Sequence, residues 1–98
     1  MYKISSALYS EVADRLRGYA DGKGYYSGSF EFDFEQVRCL MRLSGVVYHN
    51  IETIVENCTH DRIDIVPVWW EFHTFDEEGN ELLNEFSFNL LREYLKEI

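Results

Sequence analysis

Apolar residues recur every three or four positions near the start of the chain, and charged residues lie between them. The recurring positions are Leu8, Val12, Leu16 and Tyr19. This spacing is typical of an amphipathic helix, and Ser5 or Ser6 offers the hydroxyl expected of its N-cap. The two glycines within residues 21–24 end the helix, because glycine is the usual residue just past a helix end. A strand is predicted to follow from Tyr25 and Tyr26.

Apolar and polar residues alternate without exception over residues 30–34, and apolar residues then recur at every second position from Val37 to Leu43, which predicts β-structure. Apolar side chains occupy even positions up to Phe34 and odd positions from Val37 onward. A hairpin turn at Glu35-Gln36 that pairs Asp33 with Arg38 explains this change of phase. A bulge inside one longer strand would change the phase equally well.

The strand pattern resumes after Gly45 over residues 46–55, and the polar residues 57–61 predict a turn. Residues 62–75 form the next predicted strand, in which the apolar parity shifts close to Pro67. Because proline lacks the N–H that a strand donates, we expect a bulge or an edge position at Val66-Pro67.

A second turn over residues 76–80 and a short strand over residues 82–86 complete the predicted sheet. Ser87 then caps a final helix whose apolar stripe consists of Leu91, Tyr94, Leu95 and Ile98. The predicted fold is α+β, an antiparallel meander of about four strands packed against an N-terminal and a C-terminal helix in the order α-β-β-β-β-α. A single proline and the lack of a linker predict one domain over residues 1–98.

The adjacent tryptophans Trp69 and Trp70 must point to opposite faces of their strand. Trp70 has the parity of an apolar row formed by Val66, Val68 and Phe72, which predicts that it faces the helices and the core. Trp69 has the parity of polar residues and is expected on the other face. The alternative is that a loop or the Tyr25-Tyr26 segment covers it.

We expect the face around Trp69 to be a contact surface, because aromatic and arginine side chains are enriched at the centres of protein interfaces. The predicted contact residues are Trp69, Glu71, His73, Arg38, Arg42 and His49. The expected function is that of a non-enzymatic interaction or accessory module. Self-association through paired sheet faces or edges, giving a homodimer, is the simplest form, and a different protein partner is the other.

The chain carries 18 acidic and 9 basic side chains, for a formal charge of -9. This charge disfavours direct binding to nucleic acid or to anionic membranes. Without an apolar segment long enough to cross a bilayer, the chain is expected to be cytoplasmic. A run of acidic residues offers an alternative function, mimicry of a nucleic acid toward a basic DNA- or RNA-binding protein. The run comprises Glu71, Asp76, Glu77, Glu78, Glu81 and Glu85. A third possibility is a small ligand stacked on Trp69.

The sequence predicts neither catalysis nor a metal or cofactor. Cys58, His60 and Asp61 are the densest group of ligand-type residues, but their spacing matches no standard zinc pattern. Glu71 and His73 share one strand face, as on any half-polar strand, and no nucleophile stands in a triad. Cys39 and Cys58 are expected to be reduced thiols.

Overall fold

The computed structural model describes residues 1–55 and 58–96, and only the backbone of residues 50–55 and 58–62. The elements are α1 (Ser6–Tyr19), β1 (Tyr25–Phe34), β2 (Val37–Val55), β3 (Cys58–Phe75), β4 (Glu81–Leu82) and α2 (Phe88–Lys96). The strands form one antiparallel sheet in the order β1-β2-β3-β4. The predicted α-β-β-β-β-α arrangement is confirmed.

Both helices begin as the sequence predicts. The Leu8 N–H donates to Ser5 Oγ at 3.2 Å, so Ser5 is the N-cap of α1. Ser87 Oγ accepts from the Leu90 N–H at 3.3 Å at the start of α2. Leu91 and Leu95 of the predicted α2 stripe are buried, whereas Ile98 lies outside the described residues.

The β1–β2 hairpin turns at Glu35-Gln36, and the predicted pairing of Asp33 with Arg38 is confirmed. Glu35 has φ 48° and Gln36 has φ 69°. Two successive positive φ values define the turn type that matches the twist of a two-residue hairpin. This turn normally uses Asn-Gly, so the glutamate and glutamine hold a backbone conformation that costs them energy.

The predicted turn over residues 57–61 is wrong for the described part of that segment. β3 already begins at Cys58, which pairs with Val55, and Ile51 pairs with Asp61. Polar residues are compatible with a strand when a β-branched partner strand fixes their pairing, so polarity alone does not place a turn. The first residue of β1, Tyr25, pairs with Val46, and β2 and β3 continue past this pair as a two-stranded arm.

A bulge in β3 separates this arm from the rest of the sheet. Trp69 pairs with Ser44 and Pro67 pairs with Gly45, which leaves Val68 as the extra residue, one position later than predicted. A Cβ on Gly45 would lie 2.8 Å from the Val66 carbonyl oxygen, so only glycine fits here.

Because of the bulge, the predicted apolar row that joins Val66 and Val68 to Trp70 and Phe72 is wrong. Val66 pairs with Val46 and is exposed, and Val68 is 72% exposed, so neither shares the core face with Trp70 and Phe72. The physical reason is that the phase of the strand changes after Pro67 rather than before it.

β4 is shorter than the predicted strand over residues 82–86, because the Asn84 side chain redirects the backbone after Leu82. Asn84 Nδ2 donates to the Phe72 carbonyl and to Thr74 Oγ1, both at 3.2 Å, and its Oδ1 accepts from the Phe86 N–H at 3.0 Å. Thr74 is fully buried, and its hydroxyl donates to the Leu82 carbonyl at 2.8 Å. This network holds β4 without further ladder pairs.

Both helices cover one face of the sheet, as predicted. Arg15 of α1 lies over the Phe32 ring at 4.5 Å, and Phe86, just before α2, stacks on Phe72 with ring centroids 4.2 Å apart. The buried strand residues on this face are Tyr26, Phe30, Phe32, Val37, Cys39, Met41, Leu43, Val47, Ile63, Ile65, Phe72 and Thr74. The opposite face, called the outer face below, remains without a helix in the described part of the chain.

Candidate functional site

The outer face is built from cross-strand rows of three side chains, one from each long strand. From the arm downward, the rows are Tyr25, Val46 and Val66, then Ser27, Ser44 and Trp69, then Ser29, Arg42 and Glu71, then Glu31, Leu40 and His73, and finally Asp33, Arg38 and Phe75. Alternation along each strand points all of these side chains away from the helices. Of the predicted contact residues, the structure thus brings Trp69, Glu71, His73, Arg38 and Arg42 onto one surface.

Trp69 stands beside a groove because its row neighbours are small. The indole is 49% exposed, and the groove next to it measures about 320 Å³. Ser27 and Ser44 form part of its lining, and their hydroxyls lie 2.9 Å apart across β1 and β2. Tyr26 is buried on the opposite face, so it does not cover Trp69.

An exposed apolar patch surrounds Trp69 toward the arm. We call it the aromatic patch, and it consists of Tyr25, Val46, Tyr48, Val66 and Trp69. Val46 is half-buried, and the other four side chains are exposed. Because the side chains occupy neighbouring rows on one face, they form a continuous surface.

Trp70 lies on the core face, as its predicted role requires, but at the margin of the core. Its ring packs against Phe86 and Phe88, with centroid distances of 5.6 Å and 5.8 Å. The side chain is nevertheless 36% exposed, so the two tryptophans differ less in burial than the sequence pattern indicates.

Charged side chains of both signs occupy the lower rows of the outer face. Arg42 Nη1 lies 3.6 Å from Glu71 Oε2, and Arg38 Nε lies 3.5 Å from Asp33 Oδ1. These ion pairs are exposed, so each contributes little to stability. They leave the face with mixed charge rather than a single sign.

His73 lies between two carboxylates. Its Nδ1 is 2.9 Å from Glu81 Oε2 on β4, and its Nε2 is 3.6 Å from Glu71 Oε1. The hydrogen bond with Glu81, followed by the charges of Glu81 and Glu71, raises the pKa of His73 above its ordinary value of 6.5. Both ring nitrogens have carboxylate partners, and the contact with Glu81 links β4 to β3.

His49 does not belong to the outer face. It pairs with the core residue Ile63, and its Nε2 lies 2.7 Å from the Lys23 carbonyl oxygen. Alternation along β2 puts His49 on the same side as Val47, the side opposite Trp69. The structure thus separates it from the other predicted contact residues.

The acidic run does not form one surface of unengaged carboxylates. Glu71 and Glu81 contact His73, as described above. Asp76 Oδ1 accepts from the N–H groups of Glu78 and Asn80, both at 2.9 Å, and so shapes the β3–β4 turn. Glu77, Glu78 and Glu85 have exposed side chains.

The sequence pattern did not reveal the small residues that form the groove. Ser27, Ser29 and Ser44 become neighbours of Trp69 only through the register of three strands. The signal that was available is the alternation of serine with glycine over residues 27–29, at the centre of β1.

Metal-ligating and nucleophilic groups are sparse in the part of the chain that the structure describes. There, no three His, Cys, Asp or Glu side chains stand close enough together to hold a metal ion. The side chains of Cys58, His60 and Asp61 lie outside the described residues. Cys39 is a buried free thiol whose pKa burial raises to about 11, which keeps it protonated at neutral pH. Neither described helix is long and apolar enough to span a bilayer.

No family model, curated protein or solved structure matches this chain. Its function must therefore be inferred from geometry and chemistry.

Proposed function

We propose that the protein is a non-enzymatic interaction module and that its outer face, centred on Trp69, docks a second copy of the chain. The observation that supports this most strongly is the aromatic patch. Four exposed and one half-buried apolar side chains lie together on a sheet face that neither helix covers. Contiguous exposed apolar surface of this kind marks interaction sites.

The choice of a second copy as the partner rests on the charges beside the patch. Arg38 and Arg42 stand on the same face as Glu31 and Asp33. A face that carries both signs can match a copy of itself related by a two-fold axis, because each positive group can meet a negative group of the partner. A face of one sign would repel its own copy.

Sedimentation of the wild-type protein over a wide dilution range tests this proposal. We expect Trp69→Ser to lower the average mass and to weaken association by at least about tenfold, since buried aromatic anchors dominate interface energies. Leu83→Ser is the matched control, because Leu83 is 77% exposed but lies outside the outer face. A wild type that stays monomeric at every concentration, or equal losses in both variants, would contradict the proposal.

Salt separates this function from mimicry of a nucleic acid. Added salt screens both the repulsion between two copies of formal charge -9 and the attraction between opposite charges at their contact, so self-association should change little with salt. A complex between acidic side chains and a basic partner would weaken under the same change.

A further inference from the structure

β1 is an edge strand whose outer side has open hydrogen-bonding groups. The Gly24 carbonyl accepts from the Val47 N–H at 3.0 Å, which fixes the phase of the β1–β2 ladder. Since ladder bonds alternate along an antiparallel strand, the even-numbered residues of β1 bond to β2. The backbone groups of Tyr25, Ser27, Ser29, Glu31 and Asp33 point away from β2. Within the described residues, no strand pairs with this side of β1.

Part of this edge lacks the devices that normally prevent edges from pairing, because the charged residues of β1, Glu31 and Asp33, lie only in the half next to the hairpin turn. Proteins protect such edges with proline, charged side chains, bulges or a covering element. β1 contains neither proline nor lysine, and its ten residues pair with β2 without a register shift. The centre of the strand, at Ser27, Gly28 and Ser29, carries only small, exposed residues.

We infer that the edge of β1 pairs antiparallel with the same edge of a second copy, joining two four-stranded sheets into one continuous sheet. A two-fold axis at Gly28 or at Ser29 places every outward N–H and C=O group opposite another outward group, because both axes pair odd-numbered residues with odd-numbered ones. This contact uses backbone groups, so it goes beyond the docking of the outer face around Trp69.

The charges of β1 favour this orientation of the two strands. Its charged side chains, Glu31 and Asp33, lie in the half next to the hairpin turn, and Lys23 lies just before the other end. With the axis at Gly28, Glu31 stands opposite Tyr25 and Asp33 opposite Lys23. With the axis at Ser29, the two acids stand opposite Ser27 and Tyr25. Parallel pairing in register would instead set each acid against its own copy, which is destabilising.

The groove beside Trp69 reaches the same edge, since Ser27, Gly28 and Ser29 belong to its lining. A two-fold axis perpendicular to the sheet keeps the two outer faces on one side. Pairing would therefore bring the two grooves together across the seam. Edge pairing and face docking are both isologous contacts, and together they build a closed tetramer with three two-fold axes if the two axes intersect at right angles, and a longer open assembly if they do not.

Ser29→Pro tests the edge directly. Proline removes an N–H that points away from β2, and the preceding residue Gly28 tolerates the restriction that proline imposes. Ser29→Ala is the matched control, because it removes the hydroxyl and retains the N–H. Since the two-fold axis doubles the loss, we expect Ser29→Pro to weaken edge association by at least about tenfold and Ser29→Ala to leave it unchanged.

Sedimentation of single and double variants separates the edge from the face. If both contacts form, the wild type assembles beyond a dimer, Trp69→Ser and Ser29→Pro each stop at a dimer, and the double variant is a monomer. A dimer that Ser29→Pro abolishes and Trp69→Ser leaves intact supports the edge alone. A dimer with the reverse sensitivity overturns the edge pairing and leaves the face docking standing.

Amide hydrogen exchange of the unmodified protein provides a readout that does not depend on a variant folding. In the assembled state, we expect the outward N–H groups of β1 to exchange at least about tenfold more slowly than in dilute monomer. Docking of the outer face alone leaves these groups without new hydrogen bonds. Exchange of the Ser27 and Ser29 amides that is fast and independent of concentration would overturn the inference.

Discussion

Arg92 and Asp64 form a two-point hydrogen bond that fastens α2 to β3. Arg92 Nε donates to Asp64 Oδ1 at 2.9 Å, and Arg92 Nη2 donates to Asp64 Oδ2 at 2.7 Å. The hydrogen bonds and charge of Arg92 hold the pKa of the Asp64 carboxyl below its ordinary value of 3.8. Paired, charge-assisted bonds of this geometry are stronger than single neutral ones. The C-terminal helix is thus held at the base of the two-stranded arm.

We expect Arg92→Gln to lower the free energy of unfolding by about 1 to 2 kcal/mol at neutral pH, because it removes the two-point hydrogen bond of a half-buried carboxylate. A folded-state pKa below the unfolded value gives stability that is present above pH 3.8 and lost as the pH falls through the lower value. The free energy of unfolding should therefore fall less steeply with decreasing pH in Arg92→Gln than in the wild type. Urea unfolding from acid to neutral pH measures both effects.

Lys96→Gln is the control for that measurement. Lys96 Nζ lies 3.9 Å from Asp64 Oδ2 and is more exposed than Arg92. Its removal should change the free energy of unfolding by less than about 0.5 kcal/mol. Equal effects of the two substitutions would show that the geometry of the Arg92 contact adds nothing to its charge.

The turn between β1 and β2 should be open to stabilisation. Replacing Glu35-Gln36 with Asn-Gly should raise the free energy of unfolding by about 1 to 2 kcal/mol, since these residues adopt positive φ at lower cost. Replacing both with alanine removes the same side chains but retains the strain, so no gain is expected from that control. The denaturant midpoints of the two variants measure this difference. An equal gain from the alanine pair would show that the stabilisation comes from the loss of the glutamate charge rather than from relief of strain.

Trp70→Ala should cost more stability than Trp69→Ala in the monomer. Trp70 packs on Phe86 and Phe88 but is partly exposed, so we expect a loss of about 2 to 3 kcal/mol, below that of a fully buried tryptophan. Trp69→Ala should stay within about 1 kcal/mol. Urea melts at dilutions where the protein is monomeric measure both, and equal losses would mean that the outer face supports the monomer as much as the core face does.

His73 should make stability depend on pH near neutrality. Because its pKa is higher in the folded state, the protonated ring contributes stability that is full below the unfolded pKa of 6.5 and is lost as the pH rises through the folded pKa. The decline on the alkaline side of pH 6.5 should be shallower in His73→Gln. Glu81→Gln removes the largest cause of the shift and should also flatten the profile. Profiles that coincide with the wild type in both variants would rule out this linkage.

The sequence pattern predicts what local alternation and capping decide. The hairpin at Glu35-Gln36, the caps at Ser5 and Ser87 and the opposite faces of Trp69 and Trp70 all follow from near neighbours in the chain. Where a contact between residues distant in the chain determines the structure, the sequence pattern does not predict it. The bulge falls after Pro67 because Gly45 on another strand leaves room for the Val66 carbonyl.

The residues of the outer face also fall into those that the local pattern predicts and those that depend on contacts between distant residues. Parity alone placed Trp69, Arg42 and Glu71 on the outer face. It could not place His49, whose side relative to Trp69 depends on the bulge in the neighbouring strand. The contact of Glu81 with His73 was also hidden, because it depends on the β3–β4 turn bringing the two side chains together.

The extra residue at Val68 determines which face of the sheet the side chains before and after it occupy. Ile65 and Trp70 are separated by an odd number of positions, and in an uninterrupted strand they would face opposite sides of the sheet. Removing one residue from this segment would turn outward either the buried residues at the base of the arm or those beneath α2. Here the number of residues between Ile65 and Trp70, rather than their identity, decides which side chains the helices cover.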